Sequence, residues 1–277
     1  VGHAKCVQDV KYNLAYLSQA IASNSPPLFA AYINWVKVLF EGLKIPTSEL
    51  AESLEITGDI LQLRFTDAAA IVRDFIELGL NHLTSAPEAI PSFFDDSQPL
   101  FVLGRQYFDA ILSGERSKAS HLILNAVAQG TSIKDVYLHV FQSSQREIGR
   151  LWQMNQLSVA QEHYCTAVTQ LIMSQLYSNI FNTPKNGRHL VATCVGNELH
   201  EIGLRMVTDF FEMDGWDTYY LGSNVPLSSI MQTRTERKAD VLAISATMTF
   251  HIPLVADLIK QVRTSDSNRH IKILAGG

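Results

Sequence analysis

Apolar residues recur at helical spacing through most of the first half of the chain. The Pro26-Pro27 pair precedes one of the clearest runs, and proline at this point is a helix start signal. Proline, serine and aspartate then concentrate in residues 86–99 without periodicity, which predicts a linker. The predicted helices before it cover residues 12–21, 26–39, 47–63 and 67–83.

A second helical region is predicted over residues 101–180, with turns at 130–132 and 155–158. Ser158 is followed three positions later by Gln161, which is a capping-box arrangement. A new helix is therefore expected to begin there.

After residue 188 the hydrophobic period changes, and short apolar runs alternate with helical patterns. Strand and helix in alternation predict a parallel α/β sheet, whose ligands bind beyond the carboxyl ends of the strands. The predicted strands are 189–195, 217–221, 241–245 and 271–275, and the predicted helices are 199–213, 226–238 and 252–264.

The composition of the chain excludes several classes of protein. With 277 residues, 47% of them hydrophobic and 18% charged, the chain is globular. A net charge of -5 argues against a surface that binds DNA directly, because phosphate binding needs clustered Lys and Arg. Three scattered cysteines without a CxxC pair indicate reduced thiols in the cytoplasm. No apolar run predicts a membrane span.

Polar residues and glycines stand where three predicted strands end. Glu198-Leu-His200-Glu-Ile-Gly203 follows the first strand, Ser245-Ala-Thr247 follows the third, and Gly276-Gly277 follows the fourth. The gaps between the three motifs are 41 and 28 residues. A histidine here can offer one imidazole nitrogen to a metal, while a nearby carboxylate accepts the proton on the other nitrogen.

These motifs resemble the cobalamin-binding signature DxHxxG, SxL or SxT, and GG. The resemblance implies a Rossmann-like, flavodoxin-like cobalamin domain, with His200 as the lower axial ligand of cobalt. Glu198 departs from the usual aspartate, and either it reaches His200 or Glu201 takes over its role. The further cofactor-binding residues implied are Gly203, Gly222, Asn224, Val225, Ser245, Thr247, Gly276 and Gly277.

Trp152 is followed after nine residues by Glu162-His163. This resembles the Wx9EH motif of light-sensing adenosylcobalamin proteins of the CarH and LitR type, in which these side chains cap the adenosyl group. The resemblance implies that light breaks the cobalt–carbon bond and changes the cap and a homo-oligomer. Gln153 departs from the histidine found there in the best-known members. The plainer interpretation is a core tryptophan and a first-turn carboxylate.

The N-terminal region lacks the basic recognition helix of the DNA-binding members. An extended helical region on such a module resembles the photocobilins, which implies biliverdin as a second chromophore and control of an effector domain or partner protein. Ordinary helix packing also accounts for the aromatic and histidine residues that would line a bilin pocket. They are Tyr12, Tyr16, Phe29, Tyr32, Trp35, Phe40 and His82.

We therefore expect a light-responsive regulator without catalysis of its own. Two alternatives stay open: a corrinoid protein that carries methyl groups for a methyltransferase system, and a cobalamin-binding antirepressor. The last predicted strand meets Gly276-Gly277, so a cobalamin domain of this type is expected to continue beyond it. The expected domains are 1–85 helical, 86–99 linker, 100–182 four-helix cap and 188–277 cobalamin domain.

Overall fold

The computed structural model describes residues 2–264 and 270–277, with side chains from residue 6 onward. Its N-terminal part is helical, as the hydrophobic pattern predicts. Pro26 occupies the first turn of its helix, where the missing N–H costs nothing. The helices are α1 (Gly2–Ala22), α2 (Pro26–Leu43), α3 (Thr47–Arg64) and α4 (Ala69–Ser85), with a 3-10 turn at Thr66–Ala68.

These four helices bury an aromatic and aliphatic core. Phe29 and Ile33 of α2 are fully buried in it. The rings of Tyr16 and Tyr32 stack with their centroids 4.0 Å apart, and the Tyr32 hydroxyl donates to Asn13 Oδ1 over 2.5 Å. Burial of each large apolar side chain stabilises the fold by roughly 1.5–3 kcal/mol.

Six further helices precede the sheet. The capping box predicted at the start of α9 is present: Ser158 N donates to Gln161 Oε1 over 3.0 Å, and Gln161 N donates to Ser158 Oγ over 3.3 Å. A π-helical turn, Val136–Phe141, separates α7 from α8. The helices are α5 (Phe101–Leu112), α6 (Arg116–Ala128), α7 (Ile133–Asp135), α8 (Gln142–Gln153), α9 (Val159–Gln175) and α10 (Tyr177–Ile180).

The remainder alternates strands with helices. Its four strands form a parallel sheet in the order β2-β1-β3-β4, and β1 and β3 are buried almost throughout. The elements are β1 (His189–Cys194), α11 (Ile202–Met213), β2 (Asp217–Gly222), α12 (Leu227–Glu236), β3 (Val241–Ser245), a 3-10 turn at Thr249–His251, α13 (Ile252–Thr264) and β4 (Lys272–Gly276).

The described residues divide into two compact units. The first unit takes the described part of Val1–Ser92 together with Glu147–Glu162. The second takes Phe93–Arg146 and the described part of His163–Gly277. The second half of α8 and the first turn of α9 thus cluster with the N-terminal helices.

The predicted fold class is confirmed: a helical N-terminal region and further helices precede a parallel α/β sheet. Among the described residues, no helix has both the length and the apolar character that crossing a bilayer requires.

Candidate cofactor site at the ends of the strands

The sheet register brings three of the predicted motifs together. Cys194 at the end of β1 is paired with Ser245 at the end of β3, and Ser245 is paired with Gly276 at the end of β4. Main-chain hydrogen bonds continue beyond the strands, from Val195 N to the Ser245 carbonyl and from Ala246 N to the Gly276 carbonyl. The loops that carry the motifs therefore lie side by side.

Glu198 is the centre of this group. Its side chain is fully buried, and one carboxylate oxygen, Oε1, accepts from the main-chain N of His200 over 3.1 Å and from its Nδ1 over 2.5 Å. The other oxygen, Oε2, accepts from Thr247 N, Met248 N and His251 Nδ1 at 2.7, 3.0 and 3.1 Å. One carboxylate thus joins the loop after β1 to the loop after β3.

These donors decide the charge of Glu198. Burial alone would raise the pKa of the carboxyl group, but hydrogen bonds from Met248 N, His200 and His251 outweigh burial and lower the pKa to about 2. Glu198 is therefore a carboxylate at neutral pH.

His200 points one imidazole nitrogen away from this carboxylate. With Nδ1 donating to Glu198, the neutral ring carries its lone pair on Nε2, which is the form that binds a metal. The side chain is 61% exposed, and within the described part of the chain Nε2 makes no hydrogen bond. Nε2 is therefore accessible to a ligand.

The neighbouring residues show whether Glu198 or Glu201 is the carboxylate that orients His200. Glu201 is engaged elsewhere, because its Oε1 accepts from Gln170 Nε2 over 2.9 Å. The extra methylene of Glu198 lets it orient His200 itself. His251 is a partner that the sequence analysis missed; the available signal was its position just after the Ser245 and Thr247 motif.

Some glycines at the strand ends border open space, and another permits two stretches of backbone to lie close together. A β-carbon on Gly203 or Gly276 would meet no atom within 4 Å, so both border open space, whereas one on Gly277 would overlap the Ala246 carbonyl. At the end of β2, Gly222 and Asn224 adopt left-handed backbone with φ of 73° and 58°.

Two further residues at the strand ends are packed. The side chain of Val225 packs against the apolar core on one side of the sheet. Burial raises the pKa of the Cys194 thiol to about 12, with additional effects from Glu201 and Glu198, while a hydrogen bond with Ser245 opposes the rise. The thiol is therefore neutral, and Cys194 acts as a buried apolar residue.

The three residues of the second motif lie where α8 ends and α9 begins. Trp152 is half-buried near the end of α8, and its ring centroid is 6.1 Å from that of Trp35. Glu162 is half-buried in the first turn of α9, and His163 is exposed. Trp152 and Glu162 belong to the first unit, and His163 belongs to the second.

One histidine nitrogen is the ligand that these residues can offer to a corrin-bound cobalt. A corrin ring would bring its own nitrogen ligands to the cobalt, so the protein would need to add only one further nitrogen. His200 Nε2 meets this need, and the open space at Gly203 and Gly276 leaves room beside it. No cluster of three or more His, Cys, Asp or Glu side chains in the described residues is arranged to hold an ion alone. The residues fit the cofactor.

Comparison with known proteins agrees with this chemistry. Residues 188–277 match a protein family described as B12 binding domain, and residues 103–177 match a second family with the same description. The fold and these matches define a cobalamin-binding protein.

Individual relatives cover part of the chain. Dimethylamine corrinoid protein 1 of Methanosarcina acetivorans is 26% identical over 88 residues, which are 32% of this chain and 41% of that protein. The HTH-type transcriptional repressor CarA of Myxococcus xanthus is 29% identical over 89 residues, which are 32% of this chain and 31% of CarA. The chain thus spans less than half the length of these two relatives.

A solved structure shares the fold. The monomethylamine corrinoid protein of Methanosarcina barkeri superposes with a TM-score of 0.57 over 65% of this chain and 86% of that one, at 18% sequence identity. The cobalamin-binding protein described here therefore has the corrinoid-protein fold.

Proposed function

We propose that the chain is a corrinoid carrier that holds cobalamin through His200 and works with a separate methyltransferase. The observation that carries the proposal is the buried Glu198 carboxylate, which holds His200 by Nδ1 and leaves Nε2 exposed. Bound cobalamin would supply a cobalt that accepts and gives up a methyl group. Several relatives are named as methylamine corrinoid proteins, which favours this function.

The contribution of the chain is to orient His200 and to set the basicity of its imidazole. An anionic partner on Nδ1 makes Nε2 a better donor to a metal, because it stabilises the positive charge that the ring gains on binding. Glu198 stays ionised at any pH near neutrality, so this support is permanent. Residues Ser245, Thr247, Gly276 and Gly277 are proposed to receive the nucleotide tail, and Gly222, Asn224 and Val225 the edge of the corrin.

The first experiment tests the axial ligand. We expect hydroxocobalamin to bind the wild-type chain with the absorption spectrum of histidine coordination, and His200→Ala to lose that spectrum and at least tenfold in affinity. His189→Ala is the matched control, since His189 is a partly exposed histidine paired with Asp217 on the same sheet. An unchanged spectrum in His200→Ala would refute the ligand assignment.

A second candidate function is light sensing with adenosylcobalamin. It is favoured by the position of Trp152 near the end of α8 and of Glu162 in the first turn of α9, as the Wx9EH resemblance implies. CarA is named as a transcriptional repressor, which favours a regulatory role but does not bear on light sensing. In this candidate Trp152, Glu162 and His163 cap the adenosyl group, and the output is a light-dependent homo-oligomer that acts on an effector domain or partner protein.

One comparison separates the two functions. A methyl carrier should bind methylcobalamin at least as tightly as adenosylcobalamin, and green light should leave its elution volume in gel filtration unchanged. A sensor should prefer adenosylcobalamin and change its elution volume after illumination. The behaviour expected of a sensor would replace the carrier proposal. If the chain bound neither cobalamin, both proposed functions would be refuted.

Biliverdin belongs to the sensor candidate as a second chromophore. Phe29 and Tyr32 lie in the buried core of the N-terminal helices, which supports packing as their role. Titration of the chain with biliverdin decides the matter: a new red absorption band that saturates at one bilin per chain is expected of a photocobilin, and an absence of the band removes biliverdin.

A further inference from the structure

A cavity lies beside the π-helical turn in the second unit. Its volume is about 340 Å³, which falls at the lower end of the range for small-molecule sites, roughly 300–1,000 Å³. It is lined by the segment before α5, by the π-helical turn and by the first turns of α8. All of its lining residues fall within Phe93–Arg146, so the cavity belongs to one unit. π-helical turns are rare and occur often at functional sites.

The cavity is lined by polar side chains that make no hydrogen bond within the described part of the chain. These residues are Gln98, His139, Gln142, Ser143 and Arg146. His139, Gln142 and Ser143 are half-buried. Their polar groups are therefore satisfied by what fills the cavity, which is water or a ligand.

Ser143 shows that these groups are available to a ligand. Serine and threonine in helices often donate to the carbonyl four residues earlier, and Ser174 and Thr208 do so over 3.0 and 2.8 Å. For Ser143 that carbonyl belongs to His139, which lies inside the π-helical turn, where hydrogen bonds span five residues instead of four. Within the described structure Ser143 Oγ makes no bond of this kind, so its hydroxyl group is left for the cavity.

Arg146 gives the cavity its charge. The guanidinium carbon lies 6.0 Å from the centroid of the Phe93 ring, a contact that favours one orientation of the group. A guanidinium presents its N–H donors in a planar fork that matches a carboxylate. All of the residues that line the cavity are described, and none of them is an aspartate or a glutamate. The cavity therefore favours an anion.

An apolar surface completes the lining. It is made by Phe93, Pro99 and Leu138, and the side chains of Phe93 and Leu138 are 36% and 41% exposed. A small inorganic anion would leave this surface in contact with water. An apolar body that carries a carboxylate would cover it, and removing such surface from water is favourable.

We propose that this cavity binds a small organic carboxylate, with the carboxylate group on Arg146 and Ser143 and the apolar body against Phe93 and Leu138. The occupant would contact both the segment before α5 and the start of α8, and it would hold the two together. The cavity shares no residue with the motifs at the strand ends, so the proposal goes beyond the carrier function and does not depend on cobalamin.

Benzoate is the probe, since it joins one carboxylate to one apolar ring. Isothermal titration calorimetry on the full chain, without cobalamin, should give a dissociation constant of about 1 mM or lower. Benzamide has nearly the same shape without the charge, and inorganic phosphate has charge without the apolar body. We expect each of them to bind about tenfold more weakly than benzoate, or worse.

Three variants locate the binding site. Arg146→Gln should weaken benzoate binding about tenfold or more, the loss of a charge-assisted hydrogen bond, and Ser143→Ala about threefold to fivefold. Arg116→Gln is the matched control, because Arg116 is an exposed arginine at the start of α6 that does not line the cavity. It should keep the affinity of the wild-type chain within about twofold. Arg146 is exposed as well, so circular dichroism should show both arginine variants to be folded.

Three results would overturn the proposal. The first is an absence of saturable benzoate binding by the wild-type chain up to about 10 mM. The second is an equal loss of affinity in Arg116→Gln and Arg146→Gln, which would mean attraction by overall charge. The third is binding of benzamide or phosphate as tight as that of benzoate, which would exclude a carboxylate site. Since no cobalamin is present, none of these results bears on the carrier function.

Discussion

Two buried carboxylates in the second unit have pKa values that are shifted in opposite directions. Glu198 at the strand ends accepts hydrogen bonds from five donors, and its pKa is lowered to about 2. Asp209 on α11 accepts from the Tyr137 hydroxyl over 2.8 Å. Burial raises the pKa of Asp209 to about 6, and neither Tyr137 nor Arg205, which both oppose the rise, cancels it.

The difference shows what determines whether a buried carboxylate is charged. Both side chains are almost inaccessible to water, so burial does not distinguish them. The number of N–H donors aimed at the oxygens does. At Glu198 two loops and two histidines supply the donors, and the result is a permanent anion behind the candidate metal ligand. Asp209 lies on α11, where the Tyr137 hydroxyl is its hydrogen-bond donor.

The largest expected effect comes from removing the charge of Glu198. Its pKa in the folded protein lies below the ordinary value of 4.5, so its stabilisation is complete above about pH 4.5 and is lost as the pH falls toward 2. The shift corresponds to about 3 kcal/mol. Glu198→Gln should lower the free energy of unfolding by about that amount at pH 7 and by much less at pH 3.

The measurement is chemical denaturation followed through Trp216 fluorescence, in a Trp35→Phe and Trp152→Phe background. Trp216 lies in the second unit, between α11 and β2, so it reports on that unit. If Glu198→Gln were equally destabilising at pH 3 and pH 7, the hydrogen bonds would not act through the charge.

Asp209 should respond to pH with the opposite sign. Its pKa in the folded protein lies above the ordinary value of 3.8, so stability is greatest at low pH and falls as the pH rises through about 6. Asp209→Asn keeps an acceptor for Tyr137 and removes the charge. It should stabilise the protein by about 1–3 kcal/mol at pH 7 and have little effect at pH 4.

Chemical denaturation followed through Trp216 fluorescence tests this prediction as well. Asp214→Asn is the control, because Asp214 lies just beyond α11 in an exposed pair with Lys134 and should change stability by less than about 1 kcal/mol. A destabilised Asp209→Asn at pH 7 would show that Asp209 contributes as an anion after all.

The smallest effect concerns a single donor to Glu198. His251→Leu should cost about 1–2 kcal/mol at pH 7, because it leaves Oε2 with the two main-chain donors alone. His251→Asn should recover part of this loss, since an asparagine amide can replace Nδ1. Denaturation of both variants tests the point, and equal stability of the leucine variant and the wild-type chain would show that His251 adds nothing.

Much of the fold could be predicted because its signals are local. The Pro26-Pro27 pair and the capping box of Ser158 and Gln161 marked helix starts correctly. The pattern predicts the start of α11 at residue 199, but the helix begins at Ile202, because His200 N donates to the Glu198 side chain and the loop stays non-helical. The pattern predicts the first helix from residue 12, but the helix begins at Gly2, ahead of the apolar periodicity that reveals it.

The site was harder to predict than the fold, because its hydrogen bonds join residues from different loops. The resemblance placed Glu198 beside His200, and the structure shows that hydrogen bond. Nothing local announces that Thr247 N, Met248 N and His251 converge on the same carboxylate, since convergence depends on the pairing of β1 with β3.

The central position of β1 in the sheet also sets an order of assembly. β1 pairs with both β2 and β3, but Glu198 gains its Thr247 donor from a residue 49 positions later in the chain. Contacts between residues this far apart in the sequence form later than local contacts, because the entropy of closing the loop must be paid first. Until β3 docks, the carboxylate lacks three of its donors and keeps only its local hydrogen bonds with His200. We therefore expect cobalamin to be captured by a finished sheet and not to act as a template for it.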